Sequence, residues 1–403
     1  MKQMETDLEG SRSLAKGWIV ILLGSLTAFG PLSMDMYLPA LPTVAKDLTA
    51  TTSLVQLSLT ACLLGLAAGQ LIFGPLSDIR GRRKPLISAL ITYAIVSVLS
   101  AFSPNIIVFI VLRFIQGLTG AAGIVIARAA ARDLYSGKDL TKFMALLALV
   151  MGAAPIVAPI AGGAVLQFSS WPTIFIILGL YGLLMFFSVL SFLPETLPEE
   201  KRSEGSILAV FKTFKNLLSN RTFMGIALTQ SLVMSSMFAY IAGSPFVLQN
   251  IYQITPQQFS LLFALNGLGI IIASQTVGRL SSTVKEGKLL LAGLCISLTG
   301  SVLLLLGVIL GLPLPIIVAA LFLVVSSVGM VSATAFSLAM ESQGKVAGSA
   351  SAFLGLLPFI GGAIVSPLVG IAGDATALPM GIVIIVCSFS ALIVYVTLGR
   401  SRS

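Results

Sequence analysis

The sequence contains no histidine, three cysteines, and charge on only 10% of its 403 residues. Without histidine there is no imidazole for a metal site or a catalytic triad. Cys62, Cys295 and Cys387 are odd in number, fall in apolar stretches and fit no zinc or disulfide spacing. They read as small core residues. The shortage of charge is the most restrictive absence. Soluble domains carry about 25% charged residues, and no soluble surface can be built from so few. A phosphate-binding loop of the form G-x-x-x-x-G-K-S/T is also missing, so ATP is not the expected driver. No pair of acids has catalytic spacing. The chain is expected not to be an enzyme and to carry no cofactor and no metal.

What is present is apolar: 57% of the residues are hydrophobic. Lipid is therefore the expected solvent for most of the chain. A spanning helix needs about 20 mostly apolar residues. Backbone groups in lipid must be bonded internally, which leaves helix bundles or closed barrels. The apolar runs are continuous, not alternating, which selects helices. Twelve spans are predicted, at 17–40, 53–76, 85–103, 105–131, 140–166, 172–193, 222–248, 257–280, 288–311, 314–340, 345–371 and 377–398. The first is too long for a signal-peptide core and no small-residue cleavage site follows it, so it is expected to stay attached. The only long polar stretch, 194–221, separates six spans from six. It divides the chain into an N-terminal half (1–193), a cytoplasmic linker (194–221) and a C-terminal half (222–403).

The net charge of +9 invites a nucleic-acid partner, but its placement argues for another cause. With the N-terminus in the cytoplasm, the tails and even-to-odd connections hold twenty-one of the 24 Lys and Arg residues. Lys46 alone lies on the opposite side, and Arg113 and Arg128 fall within the fourth span. Positive charge stays cytoplasmic during insertion. Both termini are therefore expected inside, and no nucleic acid is needed to explain the basicity. An internal repeat supports the six-plus-six division. GPLSDIRGRRK (74–84) matches GRLSSTVKEGK (278–288) at an offset of 204, and Gly152-Ala-Ala-Pro155 matches Gly355-Leu-Leu-Pro358 at 203. Duplicated halves with a site near the midplane between them mark secondary transporters.

Several short patterns carry chemistry. The turn from Gly74 to Lys84 packs one acid, Asp78, among four cations, with Gly81 allowing a sharp reversal. Two roles are open: a plain insertion anchor, or a charged latch that makes and breaks between conformations. Span four reads Arg113-Phe-Ile-Gln116-Gly117-Leu-Thr-Gly120-Ala-Ala-Gly123. An arginine inside a span must face a partner or a cavity. It is either a functional cation or a structural one bonded to backbone carbonyls and Gln116. Span five carries Ala154-Pro155-Ile-Val-Ala158-Pro159-Ile-Ala-Gly162-Gly163, which bends and thins the helix or serves ordinary small-residue packing. Span one ends Met34-Asp35-Met36-Tyr37-Leu38-Pro39-Ala40-Leu41-Pro42. Its Asp35 is a buried acid or an interfacial one. In span seven, Gln230, Met234, Met237 and Ile241 share a helical face, suited to adaptable apolar contacts or to plain packing.

These strings resemble those of a known family. Gly74, Leu76, Asp78, Gly81, Arg82 and Arg83 match the G-x-L-a-D-r-x-G-r-k signature of the major facilitator superfamily, although Ile79 stands where a basic residue is usual and Arg80 follows it. Arg113, Gln116 and Gly117 resemble its R-x-x-Q-G motif, tied there to proton coupling. Pro159, Gly162 and Gly163 resemble the antiporter motif of its exporters, with alanine at both earlier glycine positions. The M-D-x-Y-L-P-x-x-P string resembles the bicyclomycin and chloramphenicol resistance (Bcr/CflA) subfamily of drug–proton antiporters. The resemblance implies an all-α integral membrane protein with the major facilitator fold, two pseudo-symmetric six-helix halves around a central cavity. It implies efflux of small apolar drugs from a bacterial cell in exchange for protons, by a monomer in the lipid bilayer. Uptake of a nutrient on the same fold is the alternative. The residues carried over are Asp35 and Arg113 for proton coupling; Gly74, Asp78, Gly81, Arg82 and Arg83 for the latch; and Pro155, Pro159, Gly162 and Gly163 for the antiporter motif. Met34, Tyr37, Gln56, Thr60, Gln116, Gln230, Met234, Met237 and Tyr240 are expected to bind substrate, since polar groups inside apolar spans are unfavourable against lipid.

Overall fold

A computed structural model describes residues 18–202, 217–341 and 347–399. Half of the expected linker, the N-terminal tail, the last four residues and the start of the eleventh expected span lie outside the described residues. The helices are α1 (Trp18–Asp47), α2 (Thr52–Arg80), α3 (Arg83–Ala101), α4 (Ile106–Leu134), α5 (Gly137–Phe168) and α6 (Trp171–Phe192). They continue with α7 (Arg221–Phe246), α8 (Pro256–Leu280), α9 (Glu286–Ile309), α10 (Leu314–Glu341), α11 (Ala347–Val369) and α12 (Leu378–Val394). Eleven stretches are long and apolar enough to cross a membrane, and α11 adds the shorter apolar stretch Phe353–Val369. No strand occurs among the described residues.

The helices start where the sequence supplies caps. The side chains of Thr51, Asn105, Asn220 and Thr255 each accept a hydrogen bond from the backbone three residues on. Thr255 forms a full capping box with Gln258. Several helices outrun their apolar stretch: α2 has 29 residues, about 43 Å against a hydrocarbon core of about 30 Å. Hydropathy marks the length in lipid, whereas the helix ends where its last polar turn does. The first span thus runs to Asp47 rather than 40.

Small residues set the packing inside each half. A methyl group at Gly117 of α4 would stand 2.1 Å from the carbonyl oxygen of Cys62 on α2, so only glycine lets these two backbones touch. In the N-terminal half α2 packs on α4, α3 on α4 and α6, and α1 on α5. The C-terminal half repeats the scheme: α8 on α10, α9 on α10 and α12, and α7 on α11. The halves meet most extensively where α2 packs on α11 and α5 on α8, with smaller contacts of α1 on α7 and α8 and of α2 on α7. The ends carrying the basic turns are termed inner, and the ends near Lys46 outer. Beside Gly152, Gly278 and Gly355 there is open space.

Candidate functional site

Asp35 sits where α1 breaks, and the sequence causes the break. Pro39 lacks the N–H that would bond the carbonyl of Asp35 in a continuous helix, and Pro42 removes another. Regular α-helix ends at Asp35, Met36 and Tyr37 form a turn, Leu38–Ala40 is a 3₁₀ turn, and α-helix resumes at Leu41. The Asp35 side chain is buried, and among the described residues it has no ion-pair partner. Tyr240 of α7 is buried as well. The Tyr240 hydroxyl accepts a hydrogen bond from Asn266 Nδ2 of α8 at 2.8 Å.

Arg113 belongs to a different environment. It is fully buried and donates from Nη2 to the Ser33 carbonyl at 2.7 Å and from Nη1 to Gln116 Oε1. Its guanidinium lies 4.4 Å from the centre of the Tyr37 ring and 5.4 Å from that of Phe175. Gln116 in turn donates to Ser97 Oγ at 2.8 Å, and the Tyr37 hydroxyl meets Ser58 Oγ at 2.8 Å. Ser33 and Asp35 are two positions apart, about 200° around a helix. Arg113 and Asp35 do not form an ion pair.

The expected substrate residues separate in the same manner. Tyr37 and Gln116 are fully buried within the N-terminal half and spoken for by the arginine network. Met34 is buried in the core. On α7, Gln230, Met234 and Met237 are half-buried, with Ser332 of α10 donating to Met234 Sδ at 3.8 Å. Gln56 of α2 donates to the Ala242 carbonyl of α7 at 3.0 Å. Gln56 Oε1, Thr60 Oγ1, Gln230 Oε1, Ser244 Oγ and Asn266 Oδ1 are all buried without a hydrogen-bond partner. Such oxygens are costly inside a membrane protein, and they gather on α2, α7 and α8. Asn266 was not expected from the sequence; the available signal was an amide in the apolar middle of α8.

At the inner end, Arg82 is the hub of the charged turn. Nη1 donates to Asp78 Oδ1 and to Ser77 Oγ, and Nε to Asp133 Oδ2 at 2.9 Å. Glu195 accepts from the backbone N–H of Arg82 at 2.8 Å and of Arg83 at 3.2 Å. Gly81 has φ +84°, and a side chain there would collide with the Glu195 carboxylate. Burial raises the Glu195 carboxyl, but amide donors from Arg82, Leu197 and Arg83 outweigh it and hold the group below its ordinary 4.5. Asp133 and Glu195 were not expected from the sequence. They are acids at the inner ends of α4 and α6, remote in sequence from the turn. Pro155 and Pro159 lie inside α5. Further along it, Gly162 faces the Met36 carbonyl at the break in α1, and Gly163 faces Ser260 of α8.

The comparisons with known proteins agree with this architecture. Residues 23–366 match the Major Facilitator Superfamily. An uncharacterized MFS-type transporter, YdgK of Bacillus subtilis, is 46% identical, covering 95% of this chain and 96% of its own. A bicyclomycin resistance protein homolog of Haemophilus influenzae is 32% identical over 93% of this chain and 94% of its own. Among solved structures, a D-xylose–proton symporter superposes with a TM-score of 0.75 at 14% identity, covering 96% of this chain and 98% of that one. A multi-pass helical membrane protein with two matching halves and this extent of likeness belongs to the Major Facilitator Superfamily of transporters.

Proposed function

We propose that the chain exports small, largely apolar drugs across the inner membrane of a bacterial cell, in exchange for protons, as a monomer with both termini cytoplasmic. The observation that carries this is Asp35: a buried carboxyl with no ion-pair partner among the described residues, placed at a helix break. Keeping such a group ionised in a bilayer is costly. It is suited to take a proton from one side and to release it when its surroundings are wetted from the other. The half-buried face of Gln230, Met234 and Met237 offers adaptable apolar contact, and the unpartnered oxygens of Gln56, Thr60 and Asn266 supply acceptors for a hydroxyl or amide of the cargo. Similarity to a bicyclomycin resistance protein homolog supports a drug as cargo.

The test is purified protein in liposomes carrying a pH-sensitive dye. An outward drug gradient should drive protons in the opposite direction, and an imposed pH gradient should concentrate drug. Movement of drug and proton in the same direction would indicate uptake instead.

A further inference from the structure

Four hydrogen bonds join the two halves among the described residues, and every one runs from a side chain to a backbone carbonyl near the outer end. Ser53 Oγ donates to Pro367 O at 3.2 Å, Gln56 Nε2 to Ala242 O at 3.0 Å, Gln249 Nε2 to Pro39 O at 3.0 Å, and Gln257 Nε2 to Gly163 O at 3.1 Å. No ion pair crosses between the halves among the described residues. Two of these bonds are related by the repeat. Ser53 and Gln257 are 204 positions apart, and so are their acceptors Gly163 and Pro367. The offset is the one that relates the two inner turns. The other two acceptors, Pro39 and Ala242, are 203 apart.

The same two seams are closed by glycine. A Cβ on Gly163 of α5 would stand 2.5 Å from Ser260 Oγ of α8, and one on Gly370, just past α11, would stand 2.4 Å from Gln56 Oε1 of α2. Each seam thus sets bare backbone on one side against a polar side chain on the other. Neutral donors to carbonyls suit a gate. Each is worth only about one kcal/mol net, so together they hold a state without trapping it. An ion pair in the same place would leave a stranded charge whenever the seam opened.

We propose that Ser53 and Gln257 are a symmetry-related pair of outer-gate residues, positioning the halves for transport by holding the outer face shut and releasing together when it opens. This rests on the chain working as a transporter with alternating access, so the test reads conformation rather than transport. Spin labels at Lys46→Cys and Ala375→Cys, with the three native cysteines replaced by serine, report the outer separation in the full chain by pulsed electron paramagnetic resonance. A second pair at Arg80→Cys and Arg279→Cys reports the inner one. Ser53→Ala and Gln257→Ala should each raise the outer-open to outer-closed ratio about fivefold, and the double variant about 25-fold, with the inner pair moving closer. Gln257→Asn, which keeps a donor, should restore part of the closed population. Gly163→Leu, a wedge in the α5–α8 seam, should open the outer pair without removing any donor. Outer distances unchanged from the parent in the double variant would overturn the proposal, whatever the liposome transport assay gives.

Discussion

At the residue scale, Asp35 and Arg113 divide what looks in the sequence like one acid–cation pair. Arg113 donates to the carbonyl of Ser33, two residues before Asp35, and its charge lies over the Tyr37 ring, two residues after it. A cation near the C-terminal end of a helical segment is favourable, and this one fixes the path of α1 on both sides of the carboxyl. Asp35→Asn keeps size and polarity but cannot exchange a proton. Drug binding to the purified variant should survive while uphill efflux in liposomes is lost. A variant that still concentrates drug with the parent's pH dependence would move the coupling acid elsewhere. Arg113→Ala leaves the Ser33 carbonyl and Gln116 unpaired in a buried site, at about 1–3 kcal/mol for each, besides the ring contact at about 2 kcal/mol. It should lower the unfolding temperature in detergent and lose both binding and transport. Both roles of the arginine were open in the sequence. Its bonds to Ser33 and Gln116 follow from the register between α1 and α4, which no local pattern carries.

At the scale of elements, the turn between α2 and α3 ties three helices together through one side chain. Arg82 reaches Asp78 on α2 and Asp133 on α4, while Glu195, beyond α6, holds the turn's backbone. Asp78→Asn and Asp133→Asn should each insert normally yet transport poorly, because each leaves a mostly buried guanidinium short of a partner. Equal transport at equal expression would reduce the turn to an insertion anchor. Glu195 adds a pH dependence. Its carboxyl binds a proton more weakly folded than unfolded, so its stabilisation is fully present above the ordinary value of 4.5 and is lost as pH falls through the lower folded value. Thermal stability in detergent should therefore drop in that acid range, and Glu195→Gln should flatten the drop. The sequence made the turn itself plain, since tight charge and Gly81 are local. Asp133 and Glu195 are 51 and 113 positions from Arg82, and their convergence follows only from how α4 and α6 stack against α2 and α3.

At the scale of the whole molecule, span number was legible because lipid forces long continuous apolar runs. Helix ends, cross-half contacts and the orphaned oxygens were not, since each depends on where two remote segments meet. The duplication is also unequal, and the inequality has a consequence. The N-terminal inner turn is an ionic cluster around the buried Arg82 guanidinium. Its counterpart, Gly278–Lys288, has Ser282 in the place of Asp78. Among the described residues, Ser281, Ser282 and Thr283 there donate only to carbonyls three residues back, and Arg279, Lys285 and Lys288 form no ion pair. The outer gate, by contrast, draws one donor from each half at equivalent positions. Among the described residues the ion pairs of the inner turns therefore lie in the N-terminal half, while the outer hydrogen bonds draw on both. Replacing Arg279 and Lys285 by glutamine removes two of twenty-one inner-side cations, too few to upset insertion, and breaks no contact that holds the fold. That double variant should transport drug at close to the parent rate. Arg82→Gln, a single neutralisation in the matching turn, should lose most transport at equal expression. Equal losses from the two turns in the same liposome assay would mean that both act as latches, and that the C-terminal one draws its partners from another conformation of the transporter.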